Sequence, residues 1–301
     1  MQSLTLGLEW FKNPDHTPIF IAQEMGWFAE AGIDLTLVEP KEHLDAIEEI
    51  AQDRMDIAIT EPIHLVEDVA KGHQAVGFAR FLHTNGGVMY KKGVGIERPR
   101  DMVGKRVQYP GAPGPGGFAI VRSMIEADGG PRQAALQPIN NSFYHTDALL
   151  EDKADVATLV FYNFELIEAA HRGLDAGMFA LKDWGLPDFC QLIMITSPEK
   201  LAEKKDLFHK FLAILMRGMD FIHQHPQKAY EIYLKSMGIT EASKIDEAIF
   251  EATVPCFTYD LMMSHDYYRH LQDWMSTYKL IEHTQPATSF WTNELLPLGS
   301  G

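Results

Sequence analysis

The hydrophobic and polar positions of the first forty residues predict a strand, a polar loop, a helix and a second strand. In that order, the four segments are residues 4–10, 12–16, 18–25 and 33–38. Gly26 ends the helix, and the alternation of the second strand is typical of a parallel βαβ crossover. Open α/β sheets bind ligands at the carboxyl ends of their strands, so Trp10, Asn13 and His16 are candidate ligand-binding residues.

Strands and helices continue to alternate along the chain. The first series has strands over residues 4–8, 33–38, 56–60 and 75–81, followed by a short connecting strand over residues 86–91. The second series has strands over residues 106–109, 155–159 and 178–181, with helices over residues 118–127 and 162–172. A return strand over residues 191–196 precedes a helical region that extends to about residue 278 and includes an amphipathic helix over residues 206–223.

The two series predict an α/β protein with two lobes and two connecting strands at a hinge. A weak internal repeat supports two similar halves, because residues 56–60 and 155–159 are similar strands that each lead into a helix. The predicted first lobe is discontinuous and comprises residues 1–85 and 198–301, and the second comprises residues 86–197. Such a hinge permits the lobes to close around a small molecule.

The composition fits a globular protein and excludes several functions. A chain of 301 residues with 46% hydrophobic residues can bury a large core, and no apolar run reaches the roughly 18 residues of a membrane-spanning helix. The net charge of −16, with no cluster of Lys or Arg, disfavours nucleic acid as a partner. Cys190 and Cys256 stand alone and the histidines lack metal-ligand spacing, so neither a metal nor a disulfide framework is expected.

The start of the chain leaves two compartments open. The residues before the first strand have neither the charged nor the apolar region of a secretory leader, so a native chain that starts at Met1 is expected to be cytoplasmic. The closing Gly299, Ser300 and Gly301 resemble a cloning linker. This tail favours a periplasmic or membrane-anchored extracytoplasmic protein whose leader has been removed.

A glycine-rich segment over residues 110–117 lies between a predicted strand and a predicted helix. Gly114 and Gly116 would contribute free backbone N–H groups at a helix N-terminus, where the helix dipole favours an anion. The segment matches neither the dinucleotide-binding nor the P-loop pattern, and its prolines remove amide donors. It is interpreted equally as a tight turn or as a site for a phosphate or carboxylate.

A second candidate site follows the third predicted strand, in the segment from Thr60 to His64. Pro62 is tolerated at the start of a helix, and it puts Glu61 and His64 one turn apart on the same rim. Thr60, Glu61 and His64 are therefore candidate ligand-binding residues. The alternative is that His64 is a capped histidine on the rim with no ligand.

Aromatic residues and a carboxylate follow the strand over residues 155–159. Tyr162 and Glu165 suit a flat, amine-bearing heterocycle, because an aromatic face stacks on the ring while a carboxylate accepts hydrogen bonds from its amine. The alternative is that Phe161 and Phe164 are packing residues and that Glu165 is solvated.

The ring of Trp10 is predicted to sandwich the same ligand ring against Tyr162, unless it is a core tryptophan that seals the sheet. Asp183 and Trp184 follow the last strand of the second series and are predicted to line the cleft near the hinge.

Three motifs together identify a family resemblance. They are His-x-Pro-Ile-Phe-x-Ala-Gln from His16, Gly-Trp-Phe-x-x-x-Gly-Ile-x-Leu from Gly26, and Trp-Thr-Asn-Glu-Leu-Leu from Trp291. The chain resembles the periplasmic-binding-protein-like thiamin-pyrimidine family. That family includes SsuA/ThiY-like substrate-binding proteins of ABC transporters and the fungal enzyme that makes hydroxymethylpyrimidine (HMP) phosphate. The resemblance implies a type II periplasmic binding protein-like fold.

The resemblance also bears on catalysis. His64 stands where the fungal enzyme has the histidine that it consumes as a substrate, but Thr60 replaces the lysine that binds pyridoxal phosphate. The cysteine-rich iron segment of that enzyme is reduced here to residues 186–190, with Cys190 as its single thiol. Threonine cannot form a Schiff base, so the resemblance favours a receptor over an enzyme.

The resulting hypothesis is a solute-binding protein for a thiamin-pyrimidine precursor, HMP or a formylaminopyrimidine-like heterocycle. It would act as a monomer without a cofactor and deliver the ligand to the permease of an ABC importer. Two alternatives stay open. One is an HMP-phosphate synthase-like enzyme that uses His64 as substrate, and the other is a receptor for a different ligand such as a flavin, a sulfonate or an aminopurine.

Overall fold

The computed structural model describes residues 1–40, 46–110, 112, 114–142 and 144–297. Gly111 and Pro113 of the predicted glycine-rich segment, and the predicted linker over residues 299–301, lie outside these ranges. The chain divides into two compact units. Unit 1 comprises Met1–His83, Gln191–Arg269 and His283–Gly301, and unit 2 comprises Thr84–Cys190 and His270–Glu282.

The described strands and helices alternate until about two thirds of the way along the chain, after which helices predominate. The strands are β1 (Gln2–Gly7), β2 (Ile33–Val38), β3 (Ile57–Thr60), β4 (Val76–His83), β5 (Gly86–Lys91), β6 (Arg106–Gln108), β7 (Gln137–Ile139), β8 (Val156–Phe161), β9 (Ala176–Ala180) and β10 (Gln191–Thr196). The α-helices are α1 (Thr17–Glu24), α2 (Trp27–Glu30), α3 (Ala46–Ala51), α4 (Pro62–Ala70), α5 (Pro115–Ala127), α6 (His145–Leu150), α7 (Glu165–His171), α8 (Pro198–Glu203), α9 (Lys205–Gln224), α10 (Pro226–Met237), α11 (Lys244–Thr253) and α12 (His265–Thr277).

Unit 1 is built on a five-stranded sheet in the order β2-β1-β3-β10-β4. β1 pairs in parallel with β2 and β3, whereas β10 pairs antiparallel with β3 and β4. From β1 the chain continues to β2 on one side of β1, and from β3 it continues to β4 on the opposite side of the sheet. The connections therefore reverse direction between β1 and β3, and the carboxyl ends of these two strands define the switch point where such sheets bind ligands.

Close packing of helices covers this sheet. All four residues of β3 and all six of β10 are buried, as expected for strands with both faces covered. Gly218 lets α9 approach α1, because a Cβ atom at this position would lie 2.5 Å from the carbonyl oxygen of Pro18. The ring of Phe28 in α2 stacks on that of Phe211 in α9, with centroids 5.7 Å apart.

Unit 2 is built on a second five-stranded sheet in the order β7-β6-β8-β5-β9. β6 is parallel to β7 and β8, and β5 is antiparallel to β8 and β9. The chain goes from β6 to β7 on one side and from β8 towards β9 on the other, so a second switch point lies between the carboxyl ends of β6 and β8. The segment His270–Glu282 completes this unit, where Trp274 donates a hydrogen bond from Nε1 to Oγ of Ser123 at 2.9 Å.

A β-bulge interrupts the pairing of β8 with β5. Gly87 pairs with Val160 and Met89 pairs with Ala157, so β8 has one residue more than β5 between these pairs. Leu159 within the bulge has a φ of +59°, a left-handed conformation that is rare for a side chain of this size. The bulge lies just before the predicted binding residues at the end of β8.

The structure differs from the predicted division of the chain at two segments. Residues 191–196 form the strand β10 inside the sheet of unit 1, and residues 270–282 belong to unit 2. The first predicted connecting strand, over residues 86–91, is β5 and belongs to the sheet of unit 2. The sequence did not predict β7 or α6, and the helix predicted over residues 162–172 begins only at Glu165.

Candidate functional site

The loop between β1 and α1 lies at the switch point of unit 1, and its shape is set by Asn13 and His16. Asn13 caps a short 3₁₀ turn, accepting the Asp15 N–H at 2.7 Å through Oδ1 and donating from Nδ2 to the Phe11 carbonyl at 3.1 Å. His16 is fully buried, with Nδ1 accepting the Asn13 N–H at 3.3 Å and Nε2 3.0 Å from a Glu9 carboxylate oxygen. Both ring nitrogens of His16 therefore hold the loop.

Glu9 and the Asn13 N–H act in opposite directions on the protonation of the His16 ring. Burial alone would lower its pKa, but the Glu9 carboxylate, with smaller contributions from Asp15 and Glu39, raises the pKa above the ordinary value. The Asn13 N–H points at Nδ1 and needs a lone pair there, which favours the neutral ring with its proton on Nε2. The side chains of Asn13 and His16, both predicted to bind the ligand, thus form hydrogen bonds that stabilise the loop that carries Trp10.

Trp10 and Phe11 form an aromatic corner on this loop. Their ring centroids lie 5.5 Å apart with an angle of 60° between the ring planes. Trp10 is half-buried, and 39% of Phe11 is exposed, although phenylalanine is usually an interior residue. Trp10 is therefore partly accessible at the carboxyl edge of the sheet, and its contact with a ligand stays a prediction.

The turn between β3 and α4 brings Thr60, Glu61 and His64 to the same switch point. Thr60 is buried as the last residue of β3, and its Oγ1 lies 3.3 Å from Nδ1 of His64. Nδ1 of His64 also lies 2.9 Å from a Glu61 carboxylate oxygen. Burial opposes charging of His64, but Glu61, with Glu67 and Asp68, raises the pKa of this histidine to about 9. The rim therefore presents an imidazolium paired with a carboxylate at neutral pH.

The residue at position 60 decides which cofactor chemistry this turn can support. Pyridoxal phosphate is held through a Schiff base to a primary amine, and the Thr60 side chain offers a hydroxyl instead. The residues present at the end of β3 do not fit that cofactor. Leu186 and Cys190, the first and last residues of the reduced cysteine segment, are both buried.

In unit 2, the carboxyl end of β8 presents an exposed ring beside a buried carboxylate. Glu165 is 7% exposed at the start of α7 and accepts the Phe161 N–H at 2.8 Å. Tyr162 is 43% exposed, and its N–H donates to the Asn85 carbonyl at 2.9 Å. The sequence-based alternative of a solvated Glu165 does not hold, because this carboxylate is buried and hydrogen-bonded.

The glycine-rich segment lies across the switch point of unit 2, after β6. Gly114 is the residue before α5, and Gly116 lies in the first turn of that helix. The Tyr109 hydroxyl donates a hydrogen bond to the Gly114 carbonyl, and a Cβ atom at Gly117 would lie 2.2 Å from the Tyr109 ring. Gly117 is therefore required for close packing, which supports the interpretation of this segment as a tight turn.

The residues that follow β7 were not predicted from the sequence, and they lie at the same edge of the unit 2 sheet as the glycine-rich segment. Gln108 is fully buried, accepting the Asn141 N–H at 2.7 Å and donating to the Ser142 carbonyl at 2.9 Å. Asn140 donates to the Ala112 carbonyl at 3.1 Å and so ties this turn to the glycine-rich segment. A buried glutamine that ends a strand, followed later by Asn-Asn-Ser, was the available sequence signal.

Asp183 and Trp184 follow β9, which runs parallel to β8, and so lie at the same edge of the unit 2 sheet. Asp183 is exposed, while Trp184 is half-buried with its ring edge-on to Phe179 at 6.3 Å. Thr60 is the last residue of β3, and the other eleven predicted binding residues follow the carboxyl end of a strand in one of the two sheets. The structure adds that Asn13 and His16 form hydrogen bonds within the loop between β1 and α1.

Within residues 1–40, 46–110, 112, 114–142 and 144–297, no group of three or more His, Cys, Asp or Glu is placed to hold a metal ion. None of the helices in that part of the chain is both long enough and apolar enough to cross a membrane.

The two sheets and their switch points define the class of protein. The fold is that of the periplasmic binding proteins: the aliphatic sulphonate binding protein SsuA of Escherichia coli superposes with a TM-score of 0.75 at 11% identity, covering 96% of this chain and 97% of that one. The Candida albicans CA3427 gene product superposes with a TM-score of 0.73 at 15% identity, covering 99% and 98%.

Similarity of sequence identifies the family to which the chain belongs. Residues 13–229 match the NMT1/THI5-like family, and the chain belongs to it. A Legionella pneumophila protein named 4-amino-5-hydroxymethyl-2-methylpyrimidine phosphate synthase is 27% identical over 98% of this chain and 92% of its own length. The formylaminopyrimidine-binding protein of Halalkalibacterium halodurans is 26% identical over 78% of this chain and 70% of its own length. The predicted family resemblance and fold class are confirmed.

Proposed function

We propose that this protein is a solute-binding protein for a thiamin-pyrimidine precursor, HMP or a formylaminopyrimidine, and that it delivers this ligand to the permease of an ABC importer. In this role it acts outside the cytoplasm as a monomer. The fold of substrate-binding proteins and the formylaminopyrimidine-binding relative support a binding role. The particular ligand, the permease and the compartment are part of the proposal.

The observation that carries the proposal is the turn after β3. Thr60 offers a hydroxyl where a Schiff base needs an amine, and His64 is held in an ion pair with Glu61 at 2.9 Å. An imidazolium held in this way is suited to donating a hydrogen bond to a ligand. It is less suited to being consumed as a substrate, because breaking the pair would leave the Glu61 carboxylate without its charged partner.

Unit 2 supports the choice of an amine-bearing ring. The buried Glu165 carboxylate can accept from an exocyclic amine, and Tyr162 offers an exposed aromatic face beside it. A carboxylate in this position would repel a sulfonate, so Glu165 also distinguishes this protein from a sulfonate receptor of the same fold.

Isothermal titration calorimetry tests the proposal. The wild-type protein is titrated with HMP, formylaminopyrimidine, HMP phosphate, an alkanesulfonate and riboflavin, and the two unphosphorylated pyrimidines are expected to bind most tightly. Glu165→Gln should weaken pyrimidine binding by roughly tenfold to a hundredfold, because it removes a charge-assisted hydrogen bond. Glu151→Gln, at an exposed carboxylate of the same unit, is the matched control and should leave affinity unchanged. Preference for the sulfonate or for riboflavin would refute the assignment.

A second candidate function is an HMP-phosphate synthase-like enzyme that consumes His64. It is favoured by the Legionella relative, whose match covers 98% of this chain. The test is incubation with pyridoxal phosphate, Fe(II) and oxygen, followed by intact-mass analysis of the protein and chromatography of the products. We expect His64 to stay intact and no pyrimidine to form. A mass loss that maps to His64, together with HMP phosphate, would replace the receptor assignment by the enzyme.

A further inference from the structure

We infer that Phe11 is a ligand-contacting residue that, with Trp10, makes the aromatic corner of unit 1 selective for flat aromatic rings over aliphatic ligands. This inference rests on the proposed function and deepens it, because it names the class of ligand that unit 1 selects. Phe11 was not among the binding residues predicted from the sequence.

The position of Phe11 is the first support. It follows the end of β1 by four residues, and β1 is one of the two strands whose carboxyl ends define the switch point of unit 1. Phe11 is 39% exposed, whereas the residues that follow in the same segment, Asn13 to Thr17, are buried. An apolar ring that stays exposed at the binding edge of a sheet is expected to become buried when a ligand binds.

The rigidity of the loop is the second support. The Phe11 carbonyl accepts a hydrogen bond from Asn13 Nδ2 at 3.1 Å, and the Lys12 N–H donates to a Glu39 carboxylate oxygen at 2.9 Å. The backbone on the carboxyl side of Phe11 is therefore fixed at two points, and the buried His16 fixes the base of the loop. Affinity benefits from such preorganisation, because little loop entropy is lost when the ligand binds.

The geometry of the corner sets the class of ligand. The planes of Trp10 and Phe11 meet at 60°, with ring centroids 5.5 Å apart. A flat ring that stacks on one of these faces meets the second ring at an inclined angle, which is a favourable arrangement for aromatic groups. An aliphatic chain gains only area burial from the same two rings, so the corner discriminates by aromaticity.

The test compares Phe11 variants by calorimetry with HMP and formylaminopyrimidine. Phe11→Ala should weaken binding about threefold to tenfold, Phe11→Leu should recover only part of that loss, and Phe11→Tyr should bind nearly as tightly as the wild type. Tyr259→Ala is the matched control, because Tyr259 is a more exposed ring of unit 1, at 78%, and it should leave the affinity unchanged. The melting temperature of each apo variant should stay close to that of the wild type.

Contact itself is tested by nuclear Overhauser effects between the ligand methyl group and labelled phenylalanine rings. A cross-peak that disappears in Phe11→Ala supports the inference. Pyrimidine binding that is equal in wild type, Phe11→Ala and Phe11→Leu would overturn it while leaving the proposed function in place. A wild-type protein that binds neither pyrimidine would overturn both, and an equal loss in Phe11→Ala and Tyr259→Ala would show a general effect of surface mutation instead of contact.

Discussion

The ion pair between His64 and Glu61 makes the stability of the protein depend on pH in a direction that can be worked out. The pKa of His64 is raised from 6.5 to about 9, and Glu61, Glu67 and Asp68 are the acidic groups that raise it against the effect of burial. Because the folded state holds the proton more tightly than the unfolded chain does, the stabilisation is fully present below pH 6.5. It is lost as the pH rises through about 9.

The size of this effect is bounded by the same pKa. Raising a pKa from 6.5 to about 9 corresponds to at most about 3.4 kcal/mol. The His64 side chain is 34% exposed and the Glu61 side chain 20%, so solvent screens the pair. We therefore expect about 1 kcal/mol, which is nearer to the value of a partly exposed ion pair.

The assay is urea unfolding of wild type and His64→Gln at several values between pH 6 and pH 9.5. The free energy of unfolding should differ between the two proteins at pH 6, and this difference should shrink by about 1 kcal/mol at pH 9.5. His265→Gln is the control, because His265 is an exposed histidine 3.7 Å from Asp266 and should follow the wild type. A difference that stays constant across this range, or a His64 imidazole that titrates near pH 6.5 by NMR, would refute the reasoning.

Three further predictions concern stability. Lys279 follows α12 with a φ of +59° and is exposed, so Lys279→Gly should raise the free energy of unfolding by about 0.5–1 kcal/mol, measured in urea. Gly117→Ala should lower the melting temperature by several degrees through collision with the Tyr109 ring, whereas Gly116→Ala, with no atom within 4 Å of its new Cβ, should not. Asp56→Asn should cost about 1–3 kcal/mol in the same urea assay, because Asp56 accepts the Thr5 N–H and pairs with Lys204 at 2.6 Å; the exposed Asp53→Asn should cost much less.

The strands and their loops could be predicted where local pattern determines the structure. The strand, loop and helix around Trp10 were found because apolar alternation changes to a helical period across a polar loop with Asn13 and Pro14. The strand β7 was missed because Gln137–Ile139 has three residues, includes a proline and lies at the edge of its sheet, so it carries little hydrophobic signal.

The partners of the site residues could not be predicted, because they depend on geometry rather than on residue type. His16 has the residue type of a ligand contact, but its use of both ring nitrogens for Asn13 and Glu9 appears only when the loop is folded. Similarly, nothing local in the sequence shows that Trp274 packs in unit 2, since its partner Ser123 lies 151 residues earlier. Long-range contacts of this kind place residues 270–282 in unit 2, although the predicted division assigned all of residues 198–301 to the first lobe.

The insertion of β10 between β3 and β4 has a consequence for how the protein is synthesised. A ribosome that has released only residues 1–83 has produced β3 and β4 but not the strand that separates them, so the sheet of unit 1 cannot close. The five strands of unit 2 are complete at Ala180, but this unit still lacks residues 270–282, which include most of α12. Neither sheet-based unit is complete until most of the chain has been translated, and both depend on contacts of large sequence separation, which slow folding. We therefore expect nascent chains to expose the unpaired edges of β3 and β4 until β10 has been synthesised, and to need protection by chaperones.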